Sequence, residues 1–197
     1  MNITAIILAS GFSKRFNGNK LLTIYQEKPM IMHVLEKVAR QNFYEVIIVS
    51  QYEEVFSLVN SIVDSRCSIK SIKNNHPEIG ISESIRLGVK ESGPCDAYMF
   101  FVGDAPHMAE ETIEKMMIYY QSLEQKEAAI LCPYYQGNRG NPVIFGKNYH
   151  EQLLALRGDE GGKQIIRQYP KNVVHYEIED AKQLLDIDTQ DDLSQIL

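Results

Sequence analysis

Apolar residues follow two periods along this chain. Ile3–Ala9, Glu45–Ser50 and Ala97–Val102 are short, nearly continuous apolar runs; the first is closed by Ser10-Gly11 and the third by Gly103. Runs of that length without alternation predict strands buried on both faces of a sheet. Between the first two, residues 30–40 carry Met30, Ile31, Val34, Leu35 and Val38 at the three- and four-residue spacing of an amphipathic helix. Residues 53–63 and 82–90 repeat that pattern in shorter form, and residues 68–72 alternate like a half-exposed strand. The second half predicts a helix over residues 110–124, strands at 128–132 and 143–145, helices near 149–156 and 162–168, and strands near 173–178 and 184–187. Thr189 is placed to cap a last short helix. The turn formers from Gln136 to Pro142 read as a loop. Strands alternating with helices imply βαβ crossovers and a mainly parallel sheet. No repeat or linker interrupts the pattern, so one α/β domain is expected over residues 1–197.

Composition narrows the class. With 44% hydrophobic and 23% charged residues the chain can build a core, which excludes collagen-like, coiled-coil and disordered readings. Lys plus Arg number 20 and Asp plus Glu 26, a net charge of −6 that disfavours binding to nucleic-acid backbones and anionic membranes. The opening apolar run is too short for a signal peptide or a membrane span, so a cytoplasmic protein is expected. Cys67, Cys95 and Cys132 are odd in number and form no CxxC, which predicts reduced thiols.

In open parallel sheets ligands sit beyond the carboxyl ends of the strands, and the residues able to do chemistry cluster there. Leu8-Ala-Ser-Gly-Phe-Ser-Lys-Arg-Phe-Asn-Gly-Asn-Lys20 runs from the first strand into small residues and three cations, Lys14, Arg15 and Lys20. Small residues let peptide N–H groups approach an anion, and the cations neutralise it. No Gly-Lys-Ser/Thr closes this loop and no GxGxxG is present, against a P-loop ATPase and a nicotinamide oxidoreductase. Asp104, in Val102-Gly-Asp-Ala-Pro106, stands past another buried strand, as a ligand for Mg²⁺ or as a cap for the helix that follows. Asp186 and Asp188 in Leu185-Asp-Ile-Asp-Thr189 share one face if the segment is a strand, and could equally open the final helix. Ser82 and Ser84 near the start of a helix suit an anion, a base edge or a cap. Asn138-Arg-Gly-Asn-Pro142 and Gly158-Asp-Glu-Gly-Gly-Lys163 are polar, glycine-rich and cationic. The five histidines show no metal spacing, and no G-x-S-x-G elbow marks a serine hydrolase.

Taken together these segments resemble the MobA-like nucleotidyltransferases, and among them the molybdenum cofactor cytidylyltransferases. The likeness spans Leu8 to Asp192. The opening loop is similar to Leu-Ala-Ala-Gly-x-Ser-x-Arg-Met-Gly-x-x-Lys and keeps Gly11, Ser13, Arg15 and Lys20 in register. Gly-Asp-x-Pro falls on Gly103 to Pro106, Arg-Gly-Asn-Pro on Arg139 to Pro142, Gly-Asp-x-Gly on Gly158 to Gly161, and Asp-Ile-Asp-Thr on Asp186 to Thr189. The chain departs from the pattern at Ser10 (usually Ala), at Phe16-Asn17 (Met-Gly), at Ala105 (Gln) and at Gly162-Lys163 (Ala-Arg).

The resemblance implies a three-layer, Rossmann-like nucleotidyltransferase fold with a mainly parallel mixed sheet, its first half holding nucleotide and its second half the acceptor. It implies transfer of CMP from CTP to the phosphate of molybdopterin, with release of pyrophosphate. The product is the cytosine dinucleotide cofactor, which a molybdenum hydroxylase of the xanthine-dehydrogenase type receives. Such chemistry joins two anions and needs no activated serine or histidine, only alignment and charge neutralisation. On this reading Arg15, Lys20 and Asp104 are catalytic, and Asp104 and Asp188 hold Mg²⁺. Leu8, Ala9, Ser10, Gly11, Ser13, Lys20, Gly80 and Ser84 bind nucleotide, while Arg139, Asn141, Asp159 and Lys163 face the acceptor. Transfer with another base or acceptor (GTP to molybdopterin, or a sugar or polyol phosphate) is the alternative within the class, and a non-catalytic cofactor carrier the alternative outside it.

Overall fold

A computed structural model describes residues 1–13, 16, 18–187 and 192 of the chain. The elements are β1 (Ile3–Ala9), β2 (Ile24–Tyr25), β3 (Lys28–Pro29), α1 (Met30–Ala39), β4 (Glu45–Ser50), α2 (Glu53–Val59), β5 (Ser68–Lys73), α3 (Ile81–Glu91), β6 (Ala97–Val102), α4 (Glu110–Ser122), β7 (Ile130–Tyr135), β8 (Asn138–Arg139), β9 (Val143–Gly146), α5 (His150–Leu154), α6 (Lys163–Gln168) and β10 (Val173–Glu177). The main sheet has eight strands in the order β10-β7-β9-β6-β1-β4-β5, with β8 paired to β7. β1 lies parallel to both β4 and β6, whereas β9 runs antiparallel to β6 and β7. The expected α/β fold with a mainly parallel mixed sheet is the one observed.

Alternation along the central strands builds the layers, because successive side chains leave a strand on opposite faces. Ile3, Ala5 and Ile7 of β1 join Val46, Ile48, Met99 and Phe101 in a core with α1, α2 and α4. Ile6, Ile47, Val49, Tyr98 and Phe100 point the other way, toward Ile85 and Val89 of α3, Leu153 of α5 and Ile165 of α6. At the amino ends of the strands the buried Glu45 carboxylate is satisfied by Gly93 N at 2.6 Å, the Thr4 hydroxyl at 3.4 Å and Lys70 Nζ at 2.6 Å. A buried carboxylate is tolerated only when paired in this way. Among the described residues no helix is long and apolar enough to cross a membrane.

Two expectations fail locally. Residues 184–187 are not a strand: Ala181–Leu184 form a 3₁₀ turn, capped by the Asp180 carboxylate accepting from Lys182 N, and 185–187 carry no regular structure. Leu184 packs half-buried against the core and Ile187 is buried with Phe16, Tyr25 and Met30, while Leu185 is exposed. The segment read as a loop from Gln136 to Pro142 opens with β8, which folds back on β7 through a turn at Gln136-Gly137. The helix cap expected at Thr189 lies outside the described residues.

Candidate functional site

The order of the strands locates a crevice. From β1 the chain moves outward through β4 to β5, then returns to β6 on the other side of β1. The connections that leave β1 and β6 run toward opposite edges of the sheet, and the gap beyond their carboxyl ends is where an open α/β sheet receives a ligand. Leu8 and Val102 are in register, and Gly103 N donates to Leu8 O at 3.0 Å, tying the two exits together. A Cβ on Gly103 would fall 2.7 Å from Ile31 Cδ1 and 3.1 Å from Leu21 Cδ2. α1 thus packs closely against Gly103, and a methyl there would displace the ends of Ile31 and Leu21.

A cavity of about 410 Å³ opens there. One wall is the turn from Leu8 to Ser13, the floor is Val102 to Asp104, and the far wall is Pro77, Gly80, Ile81 and Ser84, with Asp159 at the edge. Lys20 enters through a 3₁₀ turn, Lys20–Leu22, whose Asn19 side chain accepts from Leu21 N. Lys20 N donates to Ser13 Oγ at 3.2 Å, and its buried Nζ pairs with Asp104 Oδ2 at 2.5 Å. The far wall is the amino end of α3, whose N-cap is Gly80 with φ +107° and no side-chain cap. Two groups of the 158–159 loop supply what a cap would: Asp159 Oδ1 accepts from Ile81 N at 3.1 Å, and Gly158 O accepts from Ser82 N at 3.1 Å. The Ser84 hydroxyl accepts from Asn74 Nδ2 at 3.1 Å; Asn74 is buried directly after β5.

Ten residues singled out in the sequence therefore meet around one cavity: Leu8, Ala9, Ser10, Gly11, Ser13, Lys20, Gly80, Ser84, Asp104 and Asp159. Asp159, expected toward the acceptor, lines the same cavity as the residues expected to bind nucleotide. Arg139 and Asn141, at the β8 turn, and the exposed Lys163, at the start of α6, do not line this cavity. Arg15 and Asp188 lie outside the described residues. Neither capping alternative is realised, because α4 begins after Ala109 with no side-chain cap, and neither Ser82 nor Ser84 caps α3. The cavity also uses Phe12, Leu21, Pro77 and Ile81, which carry no chemical signature in a sequence, and Asn74 stands behind it.

The chemistry on offer is electrostatic. Burial pushes the Cys132 thiol up to about 12 and raises those of Cys67 and Cys95, so none is a thiolate at neutral pH. What remains at the cavity is one lysine, the carboxylates of Asp104 and Asp159, serine hydroxyls and backbone dipoles. Asp104 offers the hard oxygen donor that a divalent cation shares with phosphate oxygens. Ile187 N donates to Asp104 O at 3.1 Å. Among the described residues no group of three His, Cys, Asp or Glu side chains forms a closed cage. One carboxylate with substrate oxygens is a fitting donor set for Mg²⁺.

Residues 5–173 match the MobA-like NTP transferase domain. The chain belongs to that family. Its relatives include a 3-deoxy-manno-octulosonate cytidylyltransferase of Pelobacter propionicus, 34% identical over 115 residues, 58% of this chain but only 43% of that relative's length. A probable molybdenum cofactor guanylyltransferase of Natranaerobius thermophilus is 29% identical over 160 residues, 78% of this chain and 73% of that one. The fold of this MobA-like transferase is that of Rv0371c from Mycobacterium tuberculosis H37Rv, with a TM-score of 0.81 at 20% identity, covering 99% of this chain and 97% of that structure. By family this is a nucleotidyltransferase.

Proposed function

We propose that the chain transfers a nucleoside monophosphate from a nucleoside triphosphate to the terminal phosphate of a molybdopterin-type acceptor, with CTP as donor and release of pyrophosphate. The observation that carries this reading is the Lys20–Asp104 pair at the β1/β6 crevice, one cation and one carboxylate at the end of a small-residue turn. An acceptor phosphate oxygen attacks the α-phosphorus, and the bond from that phosphorus to the bridging oxygen of the β-phosphate breaks. The electron pair leaves with pyrophosphate. Both reactants are anions, so catalysis consists of alignment and charge neutralisation. Lys20 neutralises the triphosphate, joined by Arg15 as a second cation. The turn from Leu8 to Gly11 lies along the nucleotide with its N–H groups toward the phosphates, and the wall around Gly80 and Ser84 receives the base and ribose. Arg139, Asn141 and Lys163, outside the cavity, serve the acceptor. Asp104, with Asp188, would hold a divalent cation, which supplies charge neutralisation at the phosphates.

The cytidylyltransferase-like motif order and the 3-deoxy-manno-octulosonate cytidylyltransferase relative support CTP. The match to a molybdenum cofactor guanylyltransferase over 78% of the chain favours GTP as the second reading. Pyrophosphate release measured with each of the four ribonucleoside triphosphates and Mg²⁺, with and without molybdenum cofactor, separates them. Release that requires both CTP and the cofactor supports the proposal. Release with GTP alone moves the assignment to a guanylyltransferase, and nucleotide binding without release in any combination makes the chain a carrier.

A further inference from the structure

The turn that lines the cavity is held from behind by three consecutive side chains. Ser50 Oγ donates to Ala9 O at 2.9 Å, Gln51 Nε2 to Ser10 O at 2.8 Å, and the Tyr52 hydroxyl to Gly11 O at 2.8 Å. The carbonyl before these, Leu8 O, is taken by Gly103 N. Ser10 closes the lattice in the other direction, its hydroxyl donating to Val49 O at 3.1 Å, and Ser50 Oγ also accepts from Tyr52 N at 3.1 Å. Ser50, Gln51 and Tyr52 are not on the cavity wall, whereas Ala9, Ser10, Gly11 and Phe12 are. In a planar trans peptide the carbonyl of one residue and the N–H of the next point in opposite directions. Each carbonyl drawn toward residues 50–52 therefore turns the N–H of Ser10, Gly11 or Phe12 away from them.

We infer that Ser50, Gln51 and Tyr52 are positioning residues that orient the Ala9–Phe12 peptides so that N–H groups, rather than carbonyl oxygens, meet the anionic part of the nucleotide. The inference rests on the nucleotide-binding reading of this cavity. Carbonyl dipoles aimed into the cavity would repel phosphate oxygens, and a glycine-containing turn has no side chains of its own to prevent that. The donors are durable: burial, aided by Glu54, raises the Tyr52 hydroxyl above the usual tyrosine range, so it stays protonated across the working pH. The residue opposite Ala9 in the parallel β1/β4 register is Ser50, so the sheet itself sets the alignment of the three donors with the three acceptors.

Two substitutions remove a donor while keeping shape, Tyr52→Phe and Gln51→Met. Titration calorimetry of the full chain with CTP, GTP and inorganic pyrophosphate, each with Mg²⁺, reads the effect, and thermal denaturation without ligand reads stability. In the double variant the affinity for the preferred triphosphate and for pyrophosphate is expected to fall about tenfold or more, the size of a lost charge-directed contact. The unfolding midpoint is expected to change little. Affinity equal to wild type overturns the inference and leaves the nucleotide reading standing. Loss that only tracks a lower folded fraction assigns the three residues a purely structural role and also overturns it. A wild-type chain that binds none of the three probes removes the nucleotide reading, and the inference with it.

Discussion

Lys20 Nζ and Asp104 Oδ2 stand 2.5 Å apart, with the lysine side chain 9% and the aspartate side chain 25% exposed. Two charges taken from water are held together only while both are present, and the loss of either leaves the other costly. Each also has a second use on the proposed reading: the lysine is a counter-charge for phosphates and the aspartate an oxygen ligand for a cation. Asp104→Asn keeps the volume and the hydrogen-bonding capacity and removes the charge. It is expected to lower turnover by about two or more orders of magnitude, the scale of losing one preorganised electrostatic group, while circular dichroism stays native-like and the unfolding midpoint falls, because the buried Lys20 loses its partner. Turnover within a few fold of wild type at saturating Mg²⁺ would remove Asp104 from the machinery. Lys20→Met keeps the aliphatic stem that packs in the 3₁₀ turn. Its expected signature is a rise of about tenfold to a hundredfold in the KM for triphosphate, matching one charge-assisted hydrogen bond. An unchanged KM would show that Lys20 serves the fold alone.

At the scale of elements, the amino end of α3 is finished by a distant loop. Asp159→Ala removes the acceptor of Ile81 N, and by analogy with a lost N-cap it is expected to cost about 1 kcal/mol in urea denaturation. Gly80→Ala is expected to cost more. The new Cβ would lie 2.5 Å from Asp159 Oδ1 and 2.8 Å from the Gly158 carbonyl, at a φ of +107° that other residues avoid. Because the Gly158 clash is with backbone, adding Asp159→Ala should leave most of the Gly80→Ala defect in place; full rescue would show that the side chain alone sets the cost. This joint also marks how far sequence reasoning reaches. Gly80, Ser84 and Asp159 stand out as residue types, and the buried runs at β1, β4 and β6 announce the sheet, because a strand covered on both faces has no polar period. That Asp159 caps α3 across 78 positions of sequence is not legible, because a capping side chain leaves no local periodicity. The same limit explains residues 184–187, where three apolar residues in four suggest a strand. Leu184 and Ile187 instead fill separate gaps, one against the main core and one beside Tyr25.

At the scale of the whole molecule, the floor of the cavity is fastened to α1 through a polar seam, and that seam responds to acid. Lys37 Nζ donates to Pro106 O at 2.6 Å and Met108 O at 3.1 Å, holding the segment just after Asp104. Beside it, His33 Nε2 meets Tyr25 O at 2.7 Å, so that nitrogen carries the hydrogen, and the rings of His33 and His107 both pack edge-on against Tyr25. Burial lowers both imidazoles below the ordinary 6.5, for His33 with help from Lys28 and Lys37, for His107 with help from Lys37, His33 and Lys182. The opposing carboxylates, Glu36 at His33 and Asp180 at His107, recover only part of that shift. A group whose folded pKa is depressed leaves the unfolded chain to bind the proton first. Stability from this source is therefore intact above about pH 6.5 and falls as pH drops below it. The thermal midpoint should decline between about pH 6.5 and pH 5, a window that lies above most carboxylate titrations. The His33→Gln/His107→Gln variant keeps a donor toward Tyr25 O and cannot take up a proton, so its decline over that window should be clearly shallower. Equal slopes in the two proteins would place the acid sensitivity elsewhere. If the seam is its source, Asp104 loses its fixed position as the histidines charge. Turnover measured at saturating triphosphate should then fall at a lower pH than stability begins to, because the folded imidazoles charge later than the unfolded ones, and should recover when the pH is returned.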